Sequence, residues 1–305
     1  MRGKKRLLCG LLALFSVFAV GMMSACDEDS KGLFSFFEGQ GPTENVQTPT
    51  NKDLLFVHNI FGTYEVAGIG RCEEVDIVIP AYYNDVPVTS IGTEAFKNCK
   101  SIRTVSLPNT VERIEKSAFE NCESLKSINI PSKVKRLSEN VFAGCHNLAE
   151  LELRDGLRII KANAFKGCES LTKIKIPHTV ESVEENAFYN CTSITSVIVS
   201  NNVTVIEKNV FYNCVSLQTL VWSNEITSIG EGAFQGCEAL LKLSLPSALT
   251  EIGEAAFAGC SGLSSVTFKT VTGWSAGDAT LDLTNPTQNA VYLSETYLTE
   301  KWVRE

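Results

Sequence analysis

The sequence predicts a mainly β repeat solenoid of 23-residue units joined by a parallel strand ladder. The first observation is a phenylalanine at an unbroken interval of 23 residues: Phe96, Phe119, Phe142, Phe165, Phe188, Phe211, Phe234 and Phe257. The second is a cysteine three residues after each: Cys99, Cys122, Cys145, Cys168, Cys191, Cys214, Cys237 and Cys260. The third is a short apolar–polar–apolar alternation in every unit, such as Ile128-Asn129-Ile130, the period of a strand with one face buried. A fixed period of this length marks stacked units, none of which buries its apolar face alone.

The unit reads most clearly from Leu125 to Cys145. Leu125, Ile128 and Ile130 supply the strand, and Pro131 stops it because it lacks the N–H a continuing ladder needs. Val134 and Leu137 follow as a second short extended segment. Val141-Phe142 and Cys145 have the three-residue spacing of a single helical or 3-10 turn. The proline recurs as Pro108, Pro177 and Pro246, but Arg154, Ser200, Ser223 and Lys269 take its place elsewhere. The second inward strand position is aliphatic except at Trp222 and Phe268; Trp222 is the misfit, far bulkier than the aliphatics above and below it.

The string A-F-x-x-C-x-x-L-x-x-V-x-[IL]-P-x-x-[VL]-x-x-I resembles the BspA-type leucine-rich repeat of bacterial surface proteins, over roughly residues 64 to 268. Tyr64, Ile79-Pro80 and Asp85 to Gly92 resemble that family's entry segment. The units depart from the commoner leucine-rich pattern in having no fixed asparagine after the strand. The resemblance implies a leucine-rich-repeat-like solenoid that binds macromolecules non-covalently, with adhesion to a host or neighbouring-cell protein as the expected use.

Five segments follow: a signal peptide at 1–25, a tether at 26–52, an N-terminal cap and partial repeat at 53–92, eight repeats at 93–268, and a C-terminal cap at 269–305. Arg2, Lys4, Lys5 and Arg6 precede an apolar run from Leu7 to Met23, the order of a secretory signal. Met23-Ser24-Ala25-Cys26 resembles a bacterial lipobox, apart from its first position, which implies Cys26 as the lipid attachment point. Simple secretion after Ala25 and an uncleaved anchor are the competing readings. The next residues, Asp27 to Asp29 and a stretch rich in Gly, Pro and Thr, suit an extended tether. Phe34, Phe36 and Phe37 are more apolar than a tether needs. The expected location is the bacterial cell envelope, lipid-anchored and surface-exposed. In the C-terminal segment, Leu281 and Leu283 suggest a final strand, and Asn289 to Arg304 a helix with Leu293, Tyr297 and Leu298 inward.

The net charge is −8, and removing the four cations of residues 1–25, which hold no acid, makes it −8 − 4 = −12. Such a chain repels phosphate backbones and anionic headgroups, so no nucleic acid is expected as a partner. Eight of the eleven cysteines share one repeat position. Strand spacing of about 4.8 Å sets them side by side in a column, whereas disulfide Cβ atoms approach to about 3.8 Å and face each other. A reduced structural ladder of small apolar side chains is expected, with no metal, because zinc sites use clustered pairs. Only His58, His146 and His178 are present, each in a different region. No G-x-S-x-G, H-E-x-x-H or Gly-rich phosphate loop occurs, so no enzyme activity and no cofactor are expected.

Function is therefore sought on the outward strand positions. These form one column through Thr104, Ser127, Glu150, Lys173, Ser196, Thr219, Lys242 and Ser265, and a second through Ser106, Asn129, Glu152, Lys175, Ile198, Val221, Ser244 and Thr267. Eight strands at about 4.8 Å, about 16 Å wide, give about 600 Å², close to the ~800 Å² per partner of a standard interface. Glu150 beside Lys173 and Glu152 beside Lys175 read as cross-strand charge compensation or as ligand contacts. Ile198 and Val221, apolar where every other unit is polar, read as local packing or as the contact spot. Two rivals to adhesion remain. One is a periplasm-facing scaffold for envelope proteins; the other is glycan capture by exposed C-terminal tryptophans.

Overall fold

The computed structural model describes residues 54–70 and 75–305. Cys26, the signal, the tether and Cys72 lie outside the described residues. The chain winds as a succession of short strands and turns in which each 23-residue unit repeats the last, and parallel ladders connect the units. Most units contribute two strands. The first carries the L-x-x-I-x-I residues, as in Ser196–Ile198; the second carries the V-x-x-I residues, as in Ser228–Ile229. The inward positions of both form one continuous core with the phenylalanines.

The phenylalanine corner holds the units in register. The Phe96 amide donates to the Ala118 carbonyl at 2.8 Å, and the bond repeats from unit to unit as far as Phe234 to Ala256 at 2.7 Å. The rings stack in one column, with neighbouring centroids from 5.1 to 5.6 Å apart. Bonds from i to i−3, such as Cys99 to Phe96 at 3.1 Å, are those of the expected 3-10 turn. They do not propagate into a helix, because two residues in each corner are left-handed. In the Phe142 unit these are Asn140 at φ 53° and Gly144 at φ 73°. The corner is thus a chain of tight turns, and alternate amides point to the next unit.

The first-strand ladder is interrupted. Asp76–Val78, Thr104–Ser106 and Ser127–Ile128 form one sheet, Lys173–Lys175, Ser196–Ile198 and Thr219–Val221 a second, and Lys242–Leu245 with Ser265–Phe268 a third. At the first gap, Gly156 at φ 111° folds the chain so that Asp155 bridges Leu157 two residues on. At the second, the Trp222 indole Nε1 donates to the Ser244 carbonyl at 3.0 Å. Backbone amides do this at the two preceding steps, Ile176 to Ile198 and Val199 to Val221. The indole also meets Phe234 edge-on at 5.7 Å and stays half-buried.

At the N-terminal end an antiparallel hairpin, Leu54–His58 with Tyr64–Ile69, pairs in parallel with Val86–Ile91. The C-terminal end departs from expectation. The helix is Pro286–Val291, continued by a π turn Tyr292–Thr296; Asn285 caps it by accepting from the Thr287 and Gln288 amides. Residues 302–304 are not helical: Trp302–Arg304 runs antiparallel to Glu251–Ile252 and Trp274–Ala276. Leu281 and Leu283 are buried but follow a strand, Ala279–Thr280, and are not part of one. Pro286 favours a helix start there, and the strand buries Trp302 at the otherwise open last unit.

Candidate binding face

The second outward column of the first strands, from Ser106 to Thr267, is exposed along its length, and the first is exposed in part. Ile198 lies directly opposite Val221 in the parallel pair, and Lys175 lies opposite Ile198 on the other side. Ile198 is 42% and Val221 50% exposed. Leu241, one position before the next strand, is exposed as well; its sequence signal was a second leucine in the pair Leu240-Leu241 at a site otherwise mostly polar. Trp222 borders the same patch. Among the described residues no ion pair engages Lys173, Lys175 or Lys242. The face therefore offers an apolar strip flanked by free ammonium groups.

The expected Glu–Lys neighbours do not meet. Glu150 bridges back to Ser127, and the ladder gap lies between it and Lys173. Glu152 pairs within its own unit with Arg154, at 3.3 Å. The Arg154-Asp155-Gly156 turn diverts the chain and removes the register that charge compensation requires. Compensation is found elsewhere, between residues one full unit apart. Lys116 meets Glu139 at 2.7 Å, Lys161 meets Glu184 at 2.6 Å, and Lys208 meets Glu231 at 2.8 Å. Each is a solvent-screened surface pair that contributes little to stability. Beside Glu150 and Glu152, Ser127 and Asn129 help line a shallow groove of about 540 Å³.

The eight repeat cysteines are free and buried. Each thiol from Cys122 to Cys260 donates to the carbonyl of the phenylalanine 26 residues earlier, for example Cys122 to Phe96 at 3.0 Å and Cys260 to Phe234 at 3.2 Å. Burial pushes the Cys99, Cys145 and Cys260 thiols up to about 12. A thiol held so firmly protonated is a poor nucleophile.

The histidines assemble no catalytic set. His178 Nδ1 lies 3.1 Å from Asp155 Oδ1, but both side chains are largely exposed. Ser200 lies in the next turn, one unit from Pro177, and its hydroxyl bonds the backbone carbonyl of His178 rather than the ring. A nucleophile–base–orienter arrangement is thus not formed there. At the C-terminal end Trp274 and Trp302 are both buried, packed around Phe268, which leaves neither ring as a sugar platform.

Comparison with known proteins gives a family match and structural neighbours. Residues 75–170 and 158–276 match the model described as the BspA type leucine rich repeat region. A leucine-rich repeat protein of T. pallidum has a TM-score of 0.59 at 24% identity, over 71% of this chain and 90% of its own. A leucine-rich repeat protein of Bacteroides ovatus has a TM-score of 0.52 at 27% identity, over 72% of this chain and 70% of its own. No curated protein sequence matches the chain.

Proposed function

The chain belongs to the BspA-type leucine-rich repeat family, and from that premise we propose that it is a non-enzymatic binding protein of the bacterial cell surface. In this reading Cys26 carries the lipid anchor, and the first-strand face recognises a protein on a host or neighbouring cell. The observation that carries the reading is the registered, half-exposed pair Ile198 and Val221. A repeat protein has no structural need to leave two aliphatic side chains adjacent in solvent, and partner recognition uses apolar anchors ringed by polar groups. Lys173, Lys175 and Lys242 favour a partner whose contact surface has an acidic rim.

Two measurements test this. Protease treatment of intact cells, followed by blotting for the repeats, is expected to digest them without lysis. Full protection overturns the surface location and redirects the search to a periplasm-facing scaffold. Cell–cell and cell–host adhesion is then compared for the wild type and the Ile198→Glu/Val221→Lys variant. Equal adhesion at equal surface display refutes the role of this face.

A further inference from the structure

The second-strand side carries two features that the binding face does not use. One is the turn between the first two strands, where Ile60 is 90% and Phe61 69% exposed. The turn is held rigidly: Asn59 Oδ1 accepts from the Phe61 and Thr63 amides, and Asn59 Nδ2 donates to Thr63 Oγ1 at 2.7 Å. Two large apolar side chains are therefore presented to solvent on a fixed scaffold.

The other feature is an open groove of about 650 Å³ across the second strands of three units. Arg113, Lys133, Lys135, Arg136 and Arg158 line it, against Glu112 and Glu115, a local balance of 5 − 2 = +3 on a chain whose net charge is −8. Arg113, Lys133 and Arg158 have carboxylate partners. Lys135 and Arg136 have none among the described residues. The two features are continuous, because the Arg113 guanidinium lies over the Phe61 ring at 5.2 Å, and Phe61, Arg113 and Lys133 share one depression.

We propose that the Ile60–Phe61 tip and the adjoining basic groove dock this protein on an anionic lipid surface. A soluble polyanion would use the cations but leaves Ile60 and Phe61 unexplained. An apolar peptide would use the tip but leaves the charge unexplained. A membrane interface satisfies both, since acyl chains accept the tip while headgroup phosphates neutralise the groove. The two unpaired cations supply the attraction that offsets the repulsion from the acidic remainder of the chain. Docking so places the second-strand side against the bilayer and is independent of the binding face proposed above.

The test is hydroxyl-radical footprinting of the full chain on vesicles of phosphatidylglycerol mixed with phosphatidylcholine, against phosphatidylcholine alone. The apolar segment Leu7 to Met23 can hold the chain on either vesicle, so the readout is local: oxidation of Phe61. Oxidation several-fold lower on anionic than on neutral vesicles, with the difference abolished in Lys135→Glu/Arg136→Glu, is the expected result. Acetylation of Lys135, slowed by anionic vesicles in the wild type but not in Ile60→Ser/Phe61→Ser, is the second expected result. Both variants change exposed side chains, and thermal transitions by circular dichroism check that they fold. Equal oxidation on the two vesicles, or protection by soluble heparin as strong as by anionic vesicles, overturns the proposal.

Discussion

Replacing Phe165 by Leu isolates what the stacked rings contribute beyond filling space. Phe165 is fully buried between Phe142, with centroids 5.5 Å apart, and Phe188 at 5.1 Å. Leucine keeps a large apolar side chain in place, so most of the transfer free energy is retained. What is lost is two parallel ring contacts, each worth about 0.5–1.5 kcal/mol, or about 1–3 kcal/mol together. Among the described residues Phe96 ends the column and stacks only on Phe119, at 5.1 Å. Phe96→Leu is therefore expected to cost about half as much, about 0.5–1.5 kcal/mol. Guanidinium unfolding followed by circular dichroism gives each value. Tryptophan fluorescence, reporting from Trp222, Trp274 and Trp302 in the C-terminal part, tests whether unfolding stays cooperative after the change. A double-mutant cycle completes the argument. Phe165 and Phe188 should couple by about 0.5–1.5 kcal/mol, whereas Phe165 and Phe211, separated by one ring, should be additive. Equal costs at positions 96 and 165, together with no coupling between 165 and 188, would refute the stacking account and leave generic apolar filling.

The ladder thiols should be inert: burial raises them all, those of Cys99, Cys145 and Cys260 to about 12, so little thiolate forms at pH 8. Titration with a chromogenic disulfide is expected to show the eight ladder thiols, which are the described cysteines, reacting only in the denatured protein. Glu65 is mostly buried and accepts from the Ser90 hydroxyl at 3.0 Å; desolvation, the largest effect, holds its carboxyl above the usual range. The native state therefore binds this proton more tightly than the unfolded state, and stability falls as pH rises through the interval from the unfolded to the native value. Glu65→Gln should raise the melting temperature at pH 7, with a gain that disappears as the pH is lowered through that interval; a gain that persists at low pH contradicts this. Asn289 is buried and donates to the carbonyls of Val266 and Leu283, both at 3.0 Å, tying the last unit to the cap. Asn289→Ala should cost about 1–3 kcal/mol in unfolding titrations by leaving those acceptors unpaired.

The solenoid could be read from the sequence because its determinants repeat. Phe and Cys return at a strict interval, and the first strand alternates in every unit. The turn chemistry of the corner is written in the sequence as well. The position two residues after each phenylalanine is Asn98, Asn121, Gly144, Gly167, Asn190, Asn213, Gly236 or Gly259, and all eight are left-handed. Asn and Gly tolerate that backbone, so their recurrence signals linked turns rather than a 3-10 helix. The C-terminal cap occurs once, so no periodicity constrains it. Its aromatic residues suit a helix or a strand, and pairing with Glu251–Ile252 decides for the strand. On the binding face, the exposure of Ile198 and Val221 followed from alternation alone. The separation of Glu150 from Lys173 did not, because it depends on a local turn that breaks the ladder.

The corner and the strands divide the work of holding the solenoid, and that division explains why the strand face can vary. The Phe-corner bonds continue from Phe96 to Phe234 without a gap, while the first-strand ladder breaks twice. Unit-to-unit register therefore does not depend on the strand face, which is free to carry Glu150, Trp222 or an exposed apolar pair. The second break tests this directly. Trp222→Val places at 222 the residue type found at the equivalent Val199 and removes the indole from the Ser244 carbonyl. The amide of residue 222 can then donate to Ser244, as Val199 does to Val221 at 2.8 Å, joining Thr219–Val221 to Lys242–Leu245. One added backbone bond of about 1 kcal/mol slows hydrogen exchange at that amide about fivefold. Unchanged exchange would mean that the backbone between Val221 and Lys242 sets the gap and the indole merely fills it. A slowed amide would make Trp222 the residue that keeps the sheet open beside Val221, linking one bulky side chain to the shape of the binding face.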